Sequence, residues 1–153
     1  MALKFNETKI KERLYVIERE RSSLDDYIGI DYIDFFSEDD KQTGIRYYAC
    51  LHSVQLALQA VLDISAHIAA KNLFGKYKEN KELVLLMARN GVIPKELAQR
   101  LAKAVGTRNI LVHHYVEVNP EIIFHLVQND LGDLDQFVKE IEVKLGVKSK
   151  NLG

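Results

Sequence analysis

The sequence contains no tryptophan, one cysteine and two prolines in 153 residues. With Cys50 alone, the chain cannot form an internal disulfide, which excludes a disulfide-stapled secreted scaffold and suits a reducing compartment. So few prolines, together with only 8 glycines, argue against a turn-rich β fold and favour long helices. The length and a hydrophobic content of 47% predict one domain with a full apolar core.

The chain also lacks a long uninterrupted hydrophobic run. Its most apolar stretch, residues 54–70, is broken by Gln55, Gln59, Asp63 and His67, which predicts a buried helix and not a membrane span. The first seven residues contain no apolar run either, so no signal peptide is expected. We therefore expect a cytoplasmic protein without a membrane partner.

Overall positive charge is missing as well, because the formal net charge is -1. This argues against a DNA-binding protein that depends on general positive charge, but it leaves room for a local basic site. Basic residues concentrate between positions 89 and 108, whereas acidic ones concentrate between 31 and 40. The basic stretch is expected to contact RNA only if Arg100 and Lys103 flank a functional site in the fold.

Hydrophobic periodicity predicts an all-α protein, an up-down bundle of four to five helices. The predicted helices cover about 7–28, 44–74 and 80–90, a fourth begins at Pro94 and is interrupted at Gly106-Thr107, and the last covers 119–141. A short helical piece is expected at 31–36. Asn6 is the expected N-cap of the first helix. We predict a single domain over 1–153, with its core at about 7–145 and a loose tail at 148–153.

One segment carries residues suited to chemistry: Arg108, four residues, His113, one residue, then Tyr115. This three-residue pattern is fairly specific but short. His114 is an alternative to His113 at nearly the same spacing. From spacing alone, a histidine on a helix beside Arg and Tyr is more often structural than catalytic.

The segment resembles the R-x4-6-H motif of HEPN domains, in the R-x4-H-x-Y form of the HepT-like toxins. The resemblance extends over roughly residues 10–141, including the long helix from Tyr47 and the segment Asn90-Gly91-Val92-Ile93-Pro94 before the motif. It implies a HEPN-like helical bundle that forms a two-fold dimer. It also implies a metal-independent endoribonuclease toxin, with no cofactor and no metal site.

The residue chemistry fits that expectation. RNA supplies its own nucleophile in the 2′-hydroxyl, so the enzyme needs a group that transfers protons near neutral pH, for which His113 is suited. Arg108 would bind the phosphate and stabilise its transition-state charge. Asn109 lies four residues before His113 and would orient that ring or bind a phosphate oxygen.

The spacing of Arg108 and His113 limits this interpretation. Five residues correspond to about 140° around a straight helix, so the two side chains would not converge closely. One solution is a new helix capped by Thr107, which would place Arg108 in a first turn with free N–H groups. The other is a second copy of the motif across the dimer that the resemblance implies.

Tyr115 lies on the same helix face as Arg108, seven residues away. It could be structural, could stack on a base, or could be modified. The resemblance implies that a partner antitoxin of the minimal nucleotidyltransferase type nucleotidylates this tyrosine. A nucleotide there would place negative charge and bulk beside Arg108 and block RNA.

A polar stripe at intervals of four, Gln55, Gln59, Asp63 and His67, follows the long helix. Its ordinary interpretation is a hydrogen-bonded seam in the core or at a dimer contact, because buried polar groups must find partners. Its functional interpretation is that Asp63 pairs with Arg108 or His67 and supports the site. Two such side chains alone do not make a metal site.

Two functions follow from these observations. The first is an endoribonuclease toxin, active as a homodimer and neutralised by a nucleotidyltransferase antitoxin. The second is a non-catalytic HEPN module that binds nucleotide or RNA, or serves as the partner of a nucleotidyltransferase. The lack of overall positive charge and the straight-helix geometry favour the second slightly.

Overall fold

A computed structural model of the chain describes residues 2–35, 41–113 and 120–149, with only the backbone of 41–45, 107–113 and 120. These residues form seven α-helices and a 3₁₀ turn at Asp25–Tyr27, and no strand occurs among them. The helices are α1 Glu7–Ser23, α2 Tyr32–Phe35, α3 Lys41–Lys71, α4 Asn80–Arg89, α5 Lys95–His113, α6 Pro120–Asn129 and α7 Leu131–Leu145. The all-helical architecture is confirmed.

The 31-residue helix α3 is the centre of the bundle. It contacts α1, α2, α4, α5 and α6. Its buried side chains lie on several faces of the helix, as the adjacent pairs Ala57-Leu58, Val61-Leu62 and Ile68-Ala69 show. Because such a pattern covers most of the helix surface with apolar groups, α3 has to be surrounded by other helices to exclude water.

Helix α1 begins where the sequence predicts. The side chain of Asn6 accepts a hydrogen bond from the backbone N–H of Lys9 at 3.0 Å, which satisfies one of the free donors of the first turn. Ile10, Leu14 and Ile17 form the buried stripe of this helix. The predicted extension to residue 28 is wrong, because α1 ends at Ser23 and the 3₁₀ turn follows.

The C-terminal end of α3 comes three residues earlier than predicted. The helix stops at Lys71, and Leu73 has a positive φ of 55° while Gly75 has a φ of 111°. The left-handed residue at position 73 ends the helical hydrogen bonding before the glycine is reached. The sequence-based end near Phe74 relied on the glycine and missed Leu73, which is exposed.

Helix α5 is continuous through Gly106 and Thr107, so the predicted break there is wrong. Glycine inside a helix costs about 1 kcal/mol relative to alanine. The buried stripe of Leu97, Leu101 and Val105 directly precedes this position, and apolar packing of that stripe outweighs a penalty of this size. A new helix capped by Thr107 is therefore excluded.

The predicted last helix is two helices, α6 and α7, separated at Asp130. The amide of Asn129 donates to the carbonyl of His125 at 3.1 Å, so this polar side chain bonds back to the backbone at the end of α6. Asp130 has φ -114° and ψ 3°, outside the helical region. Short polar side chains that bond to nearby backbone favour helix ends over helix interiors.

Part of α3, Arg46–Lys71, is long and apolar enough by length and composition to cross a membrane. More than half of its most apolar window is buried inside the protein. The core helix of a folded bundle passes the same test. The packing of α3 against five other helices therefore explains its composition without a membrane.

Candidate active site and adjoining cavity

The predicted catalytic residues lie in the last turns of α5. The backbone positions of Arg108, Asn109 and His113 belong to that helix. Their side chains, and all of Tyr115 and His114, lie outside the described residues. Their roles remain predictions.

The continuous helix sets the relation between the Arg108 and His113 positions. Position 108 is seven residues after Leu101 and four after Ala104, so it continues the face of α5 to which those two residues belong. Position 113 is about 140° away from position 108 around the same helix. A single α5 therefore directs the two predicted catalytic positions to different sides.

A cavity of about 840 Å³ adjoins this face of α5. We call it the α5–α6 cavity. Its floor consists of buried apolar side chains from four helices: Val54, Leu58, Leu101, Leu126 and Leu134. Its volume lies in the range of small-molecule sites, roughly 300–1,000 Å³.

Charged side chains surround the opening of the α5–α6 cavity. Arg100 donates to Asp133 at 2.7 Å and to Gln136 at 3.0 Å, which ties α5 to α7. Lys103 and Glu121 also line the rim. Arg100 and Lys103 thus lie about two turns and about one and a half turns before Arg108 on α5, and Arg100 already has an acidic partner.

Aromatic rings form one side of the α5–α6 cavity. Tyr32 of α2 and Phe124 of α6 line it, and their ring centroids lie 5.3 Å apart in an edge-to-face arrangement. Phe35 packs on Phe124 at 5.3 Å, and Tyr47 packs on Phe35 at 6.4 Å. This cluster fixes the short helix α2 against α3 and α6 and holds Tyr32 at the rim.

The polar stripe on α3 faces α1. Asp63 accepts a hydrogen bond from the side-chain amide of Gln59 at 2.8 Å and lies 3.6 Å from Arg13 of α1. His67 accepts a hydrogen bond from the backbone N–H of Asn6 at 2.8 Å. We call this set of five residues the α1–α3 seam; the interpretation of the stripe as a hydrogen-bonded seam fits these contacts.

These contacts bear on the supporting role predicted for Asp63. Its described partners are Gln59 and Arg13, and His67 has a different partner in Asn6. A pairing of Asp63 with Arg108 depends on a side chain outside the described residues and stays a prediction. The described geometry gives Asp63 a structural role between α1 and α3.

His67 is held in its neutral form by its surroundings. Partial burial and the nearby charges of Lys9 and Lys71 lower its pKa below the usual 6.5. The nitrogen that accepts the Asn6 N–H cannot carry a proton at the same time, so protonation would break this hydrogen bond.

Cys50, the single thiol, is fully buried in α3. Burial raises the pKa of its thiol to about 12, so the nucleophilic thiolate is strongly disfavoured. Among the described residues, no group of three His, Cys, Asp or Glu side chains is placed to hold a metal ion.

Comparison with known proteins identifies the family. The sequence model described as Ribonuclease HepT-like matches residues 17–141, which include the motif. The chain belongs to the HepT-like family. It is 36% identical over 92 residues to the mRNA nuclease HepT of Shewanella oneidensis, covering 60% of this chain and 69% of that protein. It is 30% identical over 132 residues to the tRNA nuclease HepT of Aphanizomenon flos-aquae, covering 86% of each.

Solved structures agree with this assignment. The tri-AMPylated Shewanella oneidensis HEPN toxin in complex with an MNT antitoxin superposes with a TM-score of 0.74 and 30% identity, over 88% of this chain and 97% of that one. A cytosolic protein of unknown function from Bacillus subtilis superposes with a TM-score of 0.77 at 19% identity, over 96% and 98% of the chains, and shows the fold alone. The resemblance to HEPN domains of the HepT-like type is confirmed.

Sequence reasoning did not identify the α5–α6 cavity. His125, Tyr32 and Phe124 are not among the sequence-predicted site residues. Tyr32 lies on α2, far from the motif in sequence, whereas Phe124 and His125 lie on α6, shortly after the motif. Only the folded arrangement brings them to the same cavity as Ala104.

Proposed function

We propose that the chain is a metal-independent endoribonuclease toxin that uses Arg108 and His113. The observation that carries the proposal is the HepT-like match over residues 17–141. Relatives named mRNA nuclease and tRNA nuclease support RNA as the substrate. The motif residues supply the two functions that RNA cleavage requires.

The proposed reaction is an internal transesterification. The 2′-hydroxyl oxygen attacks the adjacent phosphorus, the bond from phosphorus to the 5′-oxygen breaks, and a 2′,3′-cyclic phosphate and a 5′-hydroxyl result. The 2′-hydroxyl proton is lost and the leaving oxygen gains one, and His113 provides one of these transfers. Arg108 stabilises the added charge on the phosphoryl oxygens. Asn109 orients His113 or the phosphate.

We propose that the active form is a homodimer. Within one α5, the helix positions of Arg108 and His113 lie about 140° apart. A two-fold axis beside this end of α5 would place the Arg108 of one protomer near the His113 of its partner. This arrangement reconciles the continuous helix with a shared site.

We propose that the partner is a minimal nucleotidyltransferase antitoxin that modifies Tyr115. The structural relative from Shewanella oneidensis is an AMPylated HEPN toxin bound to an MNT antitoxin, which supports this regulation. The added nucleotide would place negative charge near Arg108 and compete with RNA. Mass spectrometry of Tyr115 after co-expression with such a partner tests the claim, and an unmodified tyrosine would contradict it.

We propose a cytoplasmic location and a single domain over 1–153. The burial of α3 within the bundle and the cytosolic fold neighbour support the location. The tail prediction concerns residues 148–153, of which 150–153 lie outside the described residues.

One observation favours the second function, a HEPN module that binds RNA or a nucleotidyltransferase without cleaving RNA. In the isolated chain, α5 directs the Arg108 and His113 positions apart. A protein that never assembles the dimer would bind without catalysing. Cleavage of RNA by the purified protein separates the two functions.

The test is cleavage of RNA by the purified protein in the presence of EDTA. Arg108→Ala and His113→Ala are each expected to reduce the rate by about 10²–10⁴-fold. Arg89→Ala removes an exposed arginine at the end of α4 and serves as the matched control, with an unchanged rate. Equal cleavage by all four proteins would reject the site, and no cleavage by the wild type would favour the binding module.

A further inference from the structure

We propose that the α5–α6 cavity is a nucleobase site. It would take the base of an RNA nucleotide next to the scissile phosphate. Its physiological ligand rests on the proposed ribonuclease function, but the site itself is argued from its own shape, rings and charges.

The shape of the α5–α6 cavity suits a flat heterocyclic ring. The volume of about 840 Å³ leaves room for one base with part of its ribose and ordered water. Floor residues such as Val54, Leu101 and Leu134 are buried and apolar. An apolar floor with a polar rim is the usual composition of a small-ligand pocket.

Aromatic groups supply the surface on which a base can stack. Tyr32 and Phe124 are both half-buried, and both line the cavity. Phe35 supports Phe124 from behind at 5.3 Å. A ring supported in this way keeps its orientation, and stacking of a base on an aromatic side chain is a common mode of RNA recognition.

The balance of charge favours a base over a phosphate. Two cationic side chains, Arg100 and Lys103, line the rim together with three carboxylates, Glu121, Asp130 and Asp133. Arg100 is bound to Asp133 at 2.7 Å. A phosphate would meet no excess of positive charge here, whereas carboxylate oxygens can accept hydrogen bonds from the exocyclic amines of a base.

His125 offers a complementary hydrogen-bond donor. The side-chain nitrogen of Asn129 lies 3.1 Å from Nδ1 of His125 and 3.1 Å from the His125 carbonyl oxygen. Because the amide nitrogen is a donor and the carbonyl can only accept, Nδ1 is the acceptor and Nε2 carries the hydrogen. The rim therefore combines an N–H donor at His125 with carboxylate acceptors.

The location connects the α5–α6 cavity to the proposed reaction. Ala104 lines the cavity, and position 108 follows on the same face of α5 one turn later. One turn of α-helix advances about 5.4 Å, close to the spacing between neighbouring nucleotides. A base held at Ala104 would therefore place its own phosphate near the Arg108 position.

The test is titration of the purified protein with adenosine, cytidine, guanosine and uridine, followed by amide NMR shifts. Ribose 5-phosphate is the control for phosphate or sugar binding. At least one nucleoside is expected to saturate, with shifts at Ala104, Phe124 and His125, and more strongly than ribose 5-phosphate. Saturation by ribose 5-phosphate alone would overturn the proposal.

Two variants locate the binding. Ala104→Leu extends a side chain into the α5–α6 cavity while keeping helix propensity, and it is expected to weaken nucleoside binding at least tenfold. Ala102→Leu, on the same helix but outside the described cavity wall, is the matched control. His125→Ala changes an exposed residue, so folding is preserved, and it is expected to weaken binding several-fold.

Binding that Ala104→Leu and His125→Ala leave unchanged would overturn the proposal. So would an Ala104→Leu variant that loses self-association or antitoxin binding while the wild type binds no nucleoside. Wild-type protein that cleaves RNA without binding any nucleoside would reject this site and leave the proposed function standing. Nucleoside binding at the cavity by a protein that cleaves no RNA would support the site and reject the function.

Discussion

The α1–α3 seam and the α5–α6 cavity contain similar side chains in different settings. At the seam, Asp63 and His67 have partners within the fold at 2.8 Å each. At the cavity, polar groups such as Lys103 and Glu121 surround an apolar floor. Polar groups at both places can hold helices together, but only those around the apolar recess are also placed to recognise a ligand.

The comparison also separates two histidines. His67 uses its ring nitrogen to hold the segment before α1, and Asn72 reinforces this by bonding both the N–H and the carbonyl of Lys4, at 2.8 and 2.9 Å. Within the described part of the chain, His125 is held by Asn129 alone, and it lies at the cavity rim. A histidine's neighbours, and not its presence in a polar pattern, indicate whether it is structural.

The largest effect on stability is expected from the cavity floor. Leu101→Ala removes a buried side chain that both packs the bundle and forms the floor, and it should lower the free energy of unfolding by about 2–5 kcal/mol. Leu73→Ala, at a residue 90% exposed, is the control and should change it by less than about 0.5 kcal/mol. Urea denaturation measures both. Similar values for the two variants would contradict the described packing.

A smaller loss is expected at the seam. Asp63→Ala removes the acceptor of Gln59 and the partner of Arg13, and it should cost about 1–2 kcal/mol because the carboxylate is partly exposed. Glu12→Ala, an exposed acid on α1, is the control. Thermal unfolding compares them, and equal melting temperatures would show that the seam contributes nothing to stability.

A still smaller loss is expected at the cavity rim. Arg100→Ala breaks an ion pair whose side chains are 48% and 19% exposed, so the free energy of unfolding should fall by only about 0–1 kcal/mol. A loss as large as that of Leu101→Ala would show that the rim is structural. The α1–α3 seam and the rim of the α5–α6 cavity would then both be structural.

The smallest expected effect is on the pH dependence of the free energy of unfolding. The pKa of His67 is lower in the folded protein than in the unfolded chain, so the unfolded chain binds more protons as the pH falls. The contribution of His67 to the free energy of unfolding is therefore present above about pH 6.5 and is lost as the pH falls. His67→Gln keeps an acceptor for the Asn6 N–H without titrating. Urea denaturation at pH 7.5, 6.5 and 5.5 should show a shallower pH dependence for this variant than for wild type or for the control His52→Gln. The same pH dependence in all three proteins would contradict a contribution from His67.

The sequence predicted the helices whose signals are local and strong. Asn6 begins α1, and Asn90-Gly91 ends α4 close to the predicted position. The errors arose where tertiary packing outweighed local preference, as at Gly106 inside α5, or where side chains bonded to backbone, as at Asn129, the last residue of α6. A single residue type does not show whether tertiary packing, helix preference or a side-chain bond to the backbone contributes most at its position.

The candidate site was predictable only in part. The motif residues Arg108 and His113 were identified from spacing and resemblance, because a motif is written along one stretch of chain. The α5–α6 cavity was not, since Tyr32, Phe124 and Ala104 are brought together by three different helices. Such contacts depend on how the helices pack, so no local sequence pattern predicts them.

The most direct test of the account is cleavage of an RNA oligonucleotide beside a matched one with a 2′-deoxy group at the scissile nucleotide, both in EDTA. The account predicts cleavage of the ribose substrate to a 2′,3′-cyclic phosphate and a 5′-hydroxyl end, and no cleavage of the deoxy substrate at that position. Equal cleavage of both, or cleavage that stops with EDTA, would contradict a reaction driven by the 2′-hydroxyl with Arg108 and His113.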